Sequence, residues 1–159
     1  MSDSHLATYL NDHLAGSEVA PELLEYPQRL VPGAPAGQFA AALQAEIAAD
    51  RQELEALMAR LQIAQSRTRK VAAWISEKFT ELKLLLDDRK GGALRLLEIW
   101  DALSLGIEGK RLLWHTLASA LDGRAELATI DLKKLEQRAE DQRRKVEVKR
   151  LEAAKAAFG

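Results

Sequence analysis

The sequence predicts an all-α fold of four long helices and one shorter helix. Three observations indicate this class. The helix-favouring residues Ala, Leu, Glu, Lys and Arg fill long stretches of the chain. Apolar residues recur at helical spacing, and alternating runs of β-branched residues are absent. The length of 159 residues suits a single domain over 1–159, because no stretch has the composition of a linker.

The first predicted helix covers about residues 4–24, with Ser4 as its N-cap. We expect a kink or an early end at Pro21, because proline lacks an N–H and its ring clashes with the preceding turn. Pro27 is predicted to end the helical pattern. The proline- and glycine-rich residues 30–37 then form a loop.

Three more helices are predicted after this loop, over about residues 38–61, 66–86 and 93–121. Residues 87–92, DDRKGG, form the clearest break in the chain, because two adjacent glycines follow a charged run.

The helix over residues 93–121 is apolar on nearly every side, as expected of a central helix. One side mixes leucines with acids: Leu94, Leu105, Leu112, Glu98, Asp101 and Glu108. Small residues that allow close helix approach, at a crossing or a dimer contact, are Gly16, Ser17, Gly106 and Gly109.

The last helix begins after a short loop. Asp122-Gly123 ends the preceding helix, and Asp131 is a suitable N-cap for a helix that runs to about Phe158.

Composition and charge exclude several classes of function. The formal net charge is −1, so a strongly basic nucleic-acid binder is not expected. The chain has no cysteine, which excludes disulfides, thiolate metal sites and cysteine nucleophiles. Its apolar runs are too short for a bilayer, and its first residues lack the order of a signal peptide. We therefore expect a cytoplasmic protein with no membrane partner.

Each long helix also brings a polar side chain toward the predicted interior near its middle. On helical wheels these side chains share the face of the apolar stripe. The set consists of His13, Ser17, Glu46, Asp50, Lys110 and Gln142. A carboxylate buried alone costs several kcal/mol, so Glu46 and Asp50 must be paired, protonated or bound to a cation.

Two arrangements satisfy these carboxylates. In the one we predict, Lys110 neutralises Glu46 or Asp50, the other members of the set supply hydrogen bonds, and no cofactor is needed. In the alternative, His13, Glu46 and Asp50 hold an iron or manganese ion. A dinuclear site of the usual bundle type is not expected, because it requires Glu-x-x-His motifs and the sequence contains none.

Three segments carry a family resemblance: YLNDHLAGS at residues 9–17, EIAADRQELEAL at 46–57 and GKRLLWHTL at 109–117. Together with the order hairpin, crossover, hairpin, they make the chain resemble the ferritin-like superfamily, and within it a bacterial family of such bundles. The resemblance covers almost the whole chain and implies a ferritin-like fold. Such a fold is an up-down four-helix bundle of two hairpins, and its long crossover, here residues 62–92, carries an extra helix. The resemblance places Glu46 where a bridging carboxylate is expected and Asp50 one turn further on.

The chain departs from the superfamily at other ligand positions. Asp50, and Gln142 or Arg143, stand where histidine is expected, and Lys110 places a positive charge where a cation would lie. These departures argue against iron storage, ferroxidase and oxygenase activity.

We therefore predict a non-catalytic scaffold or interaction protein, stress-related by analogy, that binds protein or associates with itself as a dimer. No catalytic residues are predicted, since no Gly-x-Ser-x-Gly elbow or phosphate-binding loop occurs. The alternative is a metal-binding bundle with a reduced carboxylate site. A third hypothesis is that the last helix binds anionic partners, since residues 133–155 hold nine bases and five acids. Nucleic acid is not the expected partner.

Overall fold

The computed structural model describes residues 2–30, 32–66, 77 and 92–159, and these are helical with no strand among them. The predicted all-α class is therefore confirmed for this part of the chain. The helices are α1 (Ser2–Gly16), α2 (Val19–Leu30), α3 (Pro35–Arg60), α4 (Gly92–Ala120) and α5 (Leu132–Phe158), with a 3-10 turn at Ala125–Leu127.

The single first helix of the prediction is wrong, because the chain breaks at Ser17 and Glu18 rather than bending at Pro21. The amide of Ser17 donates to the carbonyls of His13 and Leu14 at 3.1 and 3.2 Å, which closes α1 with a tightened last turn. Pro21 then falls in the first turn of α2, where the absent N–H has no helical partner to lose.

Pro27 does not end α2, contrary to the prediction, but lies buried inside it. The helix is held there by close packing on α3. A Cβ added at Gly37 would lie 3.1 Å from the carbonyl oxygen of Pro27 and 3.3 Å from the Cα of Gln28. The two backbones thus approach closely at Pro27, and α2 continues to Leu30.

The remaining described helices follow the prediction closely. Helix α3 begins three residues early, with Pro35 as its first residue, a position that proline's fixed φ favours. Helix α5 begins after Asp131, whose side chain accepts a hydrogen bond from the amide of Lys134 at 2.9 Å. The predicted third helix and the glycine-rich break lie outside the described residues, except for Ser66, Glu77 and Gly92.

The glycines that the sequence suggested as points of close helix approach do not mark helix crossings within the described part of the chain. A Cβ added at Gly16, Gly106 or Gly109 would meet no atom within 4 Å.

The described core consists of two apolar clusters. One includes Leu24, Leu43, Trp100 and Val146, and the other includes Leu10, Leu57, Trp114 and Leu135. Along α3 the first cluster ends at Ile47 and the second begins at Leu54. A polar layer centred on Asp50 lies between them.

Of the described helices, none combines the length and the apolar character that a membrane span requires.

Candidate functional site: a buried carboxylate between two cations

Asp50 is the most deeply buried acid described in the chain, with 2% of its surface exposed. It occupies an inward position of α3 between Ile47 and Leu54, so the helix carries its side chain into the core. An unpartnered carboxylate at this depth would cost several kcal/mol, and its neighbours therefore decide what the site can do.

Two inward side chains from the other central helices meet Asp50. The ammonium group of Lys110, on α4, donates to Asp50 Oδ2 and to Gln142 Oε1. The amide of Gln142, on α5, donates in turn to Asp50 Oδ2 at 2.9 Å. Gln142 is completely buried. The three side chains thus form a closed ring that joins α3, α4 and α5.

A second cation, Arg138, completes the charge around Asp50. Its guanidinium forms an ion pair with Asp50 Oδ1, the oxygen that Lys110 does not contact. The sequence did carry a signal for Arg138: it lies one helical turn before Gln142, so both side chains share the inner side of α5. One negative charge is consequently matched by two positive charges.

Burial and charge act on Lys110 in opposite directions. Burial lowers the pKa of Lys110 below its usual value, because a charged ammonium loses hydration. Asp50 opposes that shift by attraction and hydrogen bonding, while the nearby Arg138 adds to it. The attraction between Lys110 and Asp50 is therefore offset by the cost of burial, so the polar layer is not strongly stabilising.

Glu46 does not join this ring, although the prediction offered it as an alternative partner for Lys110. Its carboxylate pairs with Lys145 of α5 at 3.2 Å, and both side chains are well exposed. Glu46 and Asp50 differ by about 40° around the helix axis. That difference places Asp50 in the core and Glu46 at its rim.

His13 and Ser17 also lie apart from the ring, contrary to the predicted network. The imidazole of His13 packs edge-on against Tyr9, with ring centroids 4.7 Å apart. Burial lowers the pKa of His13, and Asp12 partly opposes the shift. The Ser17 hydroxyl donates to the carbonyl of Leu14 at 2.6 Å and accepts from Arg51 at 3.3 Å.

Asn11 is a buried polar residue that the sequence prediction missed. Its amide donates to the carbonyls of Ala7 and Ala64, at 2.9 and 3.1 Å, and its oxygen accepts from the amide of Ser66 at 2.7 Å. Asn11 therefore ties α1 to the segment after α3. Nothing in its spacing distinguishes it from the polar residues around it.

The ligands of the alternative metal site are not brought together. Over residues 2–30, 32–66, 77 and 92–159, no three side chains of His, Asp or Glu cluster closely enough to hold a metal ion. His13, Glu46 and Asp50 all lie in these ranges, and each has the separate surroundings given above.

The basic residues of α5 are largely engaged by acids. Among the residues that the structure describes, six of its nine bases form ion pairs, namely Arg138, Arg143, Arg144, Lys145, Lys149 and Arg150. The positive charge that the sequence concentrates here is therefore mostly neutralised at the surface.

These features define a class: an all-α helical protein with a carboxylate neutralised inside its core by the chain's own cations. Comparisons of the chain with protein-family models, curated proteins and solved structures find no match.

Proposed function

We propose that this protein is a non-catalytic scaffold or interaction protein, built as a ferritin-like bundle whose interior charges are structural. The observation that carries the proposal is the set of partners around Asp50. Lys110 and Gln142 engage one carboxylate oxygen, and Arg138 engages the other. The chain itself thus supplies the positive charge that a metal ion would supply in a metal-binding bundle.

Electrostatics disfavours a metal ion at this position. A divalent cation on Asp50 would have to displace Lys110 and Arg138 or lie beside them, and like charges in a poorly hydrated interior repel strongly. The ring instead suits a structural role, because buried polar networks fix the register of the helices that they connect.

The proposal is tested by the metal content of the protein. Chain purified without chelator, then exposed to Fe²⁺, Mn²⁺ or Zn²⁺ and desalted, is expected to retain well under one ion per molecule, measured by mass spectrometry of the elements. About one tightly held ion per chain, lost in Asp50→Asn and in Glu46→Gln but kept in Glu53→Gln, would establish the metal-binding alternative instead. Glu53→Gln is the matched control because Glu53 is an exposed acid of the same helix.

Binding of anionic partners through α5 receives less support. Most of its bases already pair with acids of the same chain, so few remain to neutralise phosphates or other anions. Contact with another protein through this chain's exposed apolar residues is better supported than binding of anions.

A further inference from the structure

Exposed apolar side chains concentrate on the outer side of the α4–α5 hairpin. Among the described residues, seven large hydrophobic side chains are exposed, and six of them belong to these two helices. Leu105 and Phe158 are the most exposed, at 76% and 77%. The six are Leu94, Leu105, Leu112, Val148, Leu151 and Phe158. A cluster of exposed apolar residues of this kind is typical of a protein interface.

The three leucines of α4 form a single stripe that faces away from the core. They are spaced by eleven and seven residues, close to three and two full helical turns, so they lie one above another. The buried residues Ile99, Leu103 and Ile107 lie on the opposite side of the same helix. The described core therefore does not include these three leucines.

The register of α4 against α5 follows from two ion pairs. Arg150 lies 3.3 Å from Asp101, and Arg143 lies 3.5 Å from Glu108. From the first pair to the second, the residue number rises by seven on α4 and falls by seven on α5. The two helices are therefore antiparallel, and equal steps along each keep their residues side by side. Continued along both helices, this register puts Leu94 and Phe158 at the same level along the helix axes.

We propose that this outer side of α4 and α5 binds a second copy of the chain, related by a two-fold axis parallel to both helices. The inference rests on the proposed role in protein binding and adds the identity of the partner. Under this symmetry, α5 of the second copy packs against α4 of the first with no displacement along the helix axis. The same contact is repeated between α4 of the second copy and α5 of the first. Leu94 then faces Phe158 of the second copy, and Leu151 of the second copy inserts between Leu94 and Leu105.

Charge complementarity selects this symmetry. The outer side of α4 carries the acid Glu98, whereas that of α5 carries the base Lys155. In the proposed dimer, Lys155 of the second copy lies beside Glu98. A two-fold axis perpendicular to the helices would stack α4 on α4 and oppose like charges, which is unfavourable.

The first test is the oligomeric state in solution. Sedimentation equilibrium of the full chain is expected to give a dimer, and Leu105→Glu is expected to weaken it by about tenfold or more, because a charge would be buried among apolar side chains. The matched control is Leu30→Glu, at the one exposed large hydrophobic residue on another described helix, which should leave the dimer unchanged. A monomeric wild-type chain at about 100 µM, or a dimer indifferent to Leu105→Glu, would overturn the proposal.

A charge exchange tests the arrangement itself. Glu98→Lys and Lys155→Glu should each weaken the dimer, and the double variant should restore it, because the pair is then reversed rather than broken. No restoration would reject the proposed axis. Leu105→Cys offers a second check in this cysteine-free chain. Efficient disulfide linkage between two copies of that variant would mean that α4 faces α4, against the proposal.

The outcomes separate this inference from the proposed function. A metal-free monomer overturns the dimer and leaves the scaffold proposal standing. A dimer that retains one metal ion per chain overturns the scaffold proposal and leaves the surface assignment standing.

Discussion

Lys110 shows at the scale of one residue why a buried ion pair is a poor source of net stability but a strict structural requirement. Forming the pair removes two charges from water, which consumes most of the energy gained by their attraction. Once the core has formed around Asp50, however, removing a partner leaves part of its charge and hydrogen-bonding capacity unmatched. The same ring can therefore contribute little to stability and still be costly to break.

Replacement of Lys110 tests this view. We expect Lys110→Met to lower the free energy of unfolding by about 2 kcal/mol, below the 3–5 kcal/mol usual for a broken buried pair, because Arg138 still pairs with Asp50. Urea denaturation measures the change. Lys145→Met, which breaks the exposed pair with Glu46, is the control and should cost no more than about 0.5 kcal/mol. A loss below about 0.5 kcal/mol for Lys110→Met would mean that solvent already satisfies the carboxylate.

His13 gives the chain a sensitivity to mild acid. Because burial lowers its pKa below the ordinary value of 6.5, the unfolded chain binds more protons than the folded one between that lowered pKa and 6.5. Stability is therefore expected to fall as the pH drops through this window.

The variant His13→Phe keeps an aromatic ring against Tyr9 and removes the titrating group. Thermal unfolding followed across pH 5 to 7, a range chosen around the ordinary histidine value of about 6.5, should show a smaller acid loss for this variant. His115→Gln, at an exposed histidine, serves as the comparison and should keep the wild-type acid loss. Equal pH profiles for wild type and His13→Phe would show that His13 does not contribute.

At the scale of the elements, the contact of α2 with α3 depends on the absence of a side chain at Gly37. The nearest atoms to an added Cβ belong to the backbone of α2, which cannot rotate away as a flexible side chain would.

Substitution of Gly37 by alanine should accordingly separate the two helices. We expect Gly37→Ala to lower the free energy of unfolding by about 1–3 kcal/mol, as overpacking usually does. Gly106→Ala is the matched control, also inside a helix but with no atom near the added Cβ. It should raise stability by about 0.5–1 kcal/mol through helix propensity alone. Equal effects in denaturant titrations would contradict the close contact.

At the scale of the whole molecule, the polar layer divides the described core into two apolar clusters. Because Asp50, Lys110 and Gln142 satisfy one another only when α3, α4 and α5 are in register, a slip of one turn would leave all three unpaired. The apolar side chains on either side tolerate such slips far better. The layer therefore specifies the arrangement of these helices.

Much of the described architecture could be predicted from local signals. The all-α class, the extents of α3, α4 and α5, and the Asp131 cap follow from periodicity, helix propensity and turn residues, which act over a few neighbouring positions. The first helix was predicted as one because Pro21 and Pro27 are the stronger breaking signals in the sequence, whereas α1 ends at Gly16 with local hydrogen bonds from Ser17.

The sequence alone established that an acid, a lysine and a glutamine would lie on the inner faces of the helices, because helical periodicity fixes which residues share one side. The tertiary contacts then placed Asp50 rather than Glu46 beside Lys110, added Arg138, and left His13 and Ser17 outside. The physical reason is that a helical wheel gives the directions of side chains only coarsely. A helical wheel cannot separate side chains that differ by about 40°, whereas a neighbouring helix a few ångströms away buries one of them and leaves the other in water.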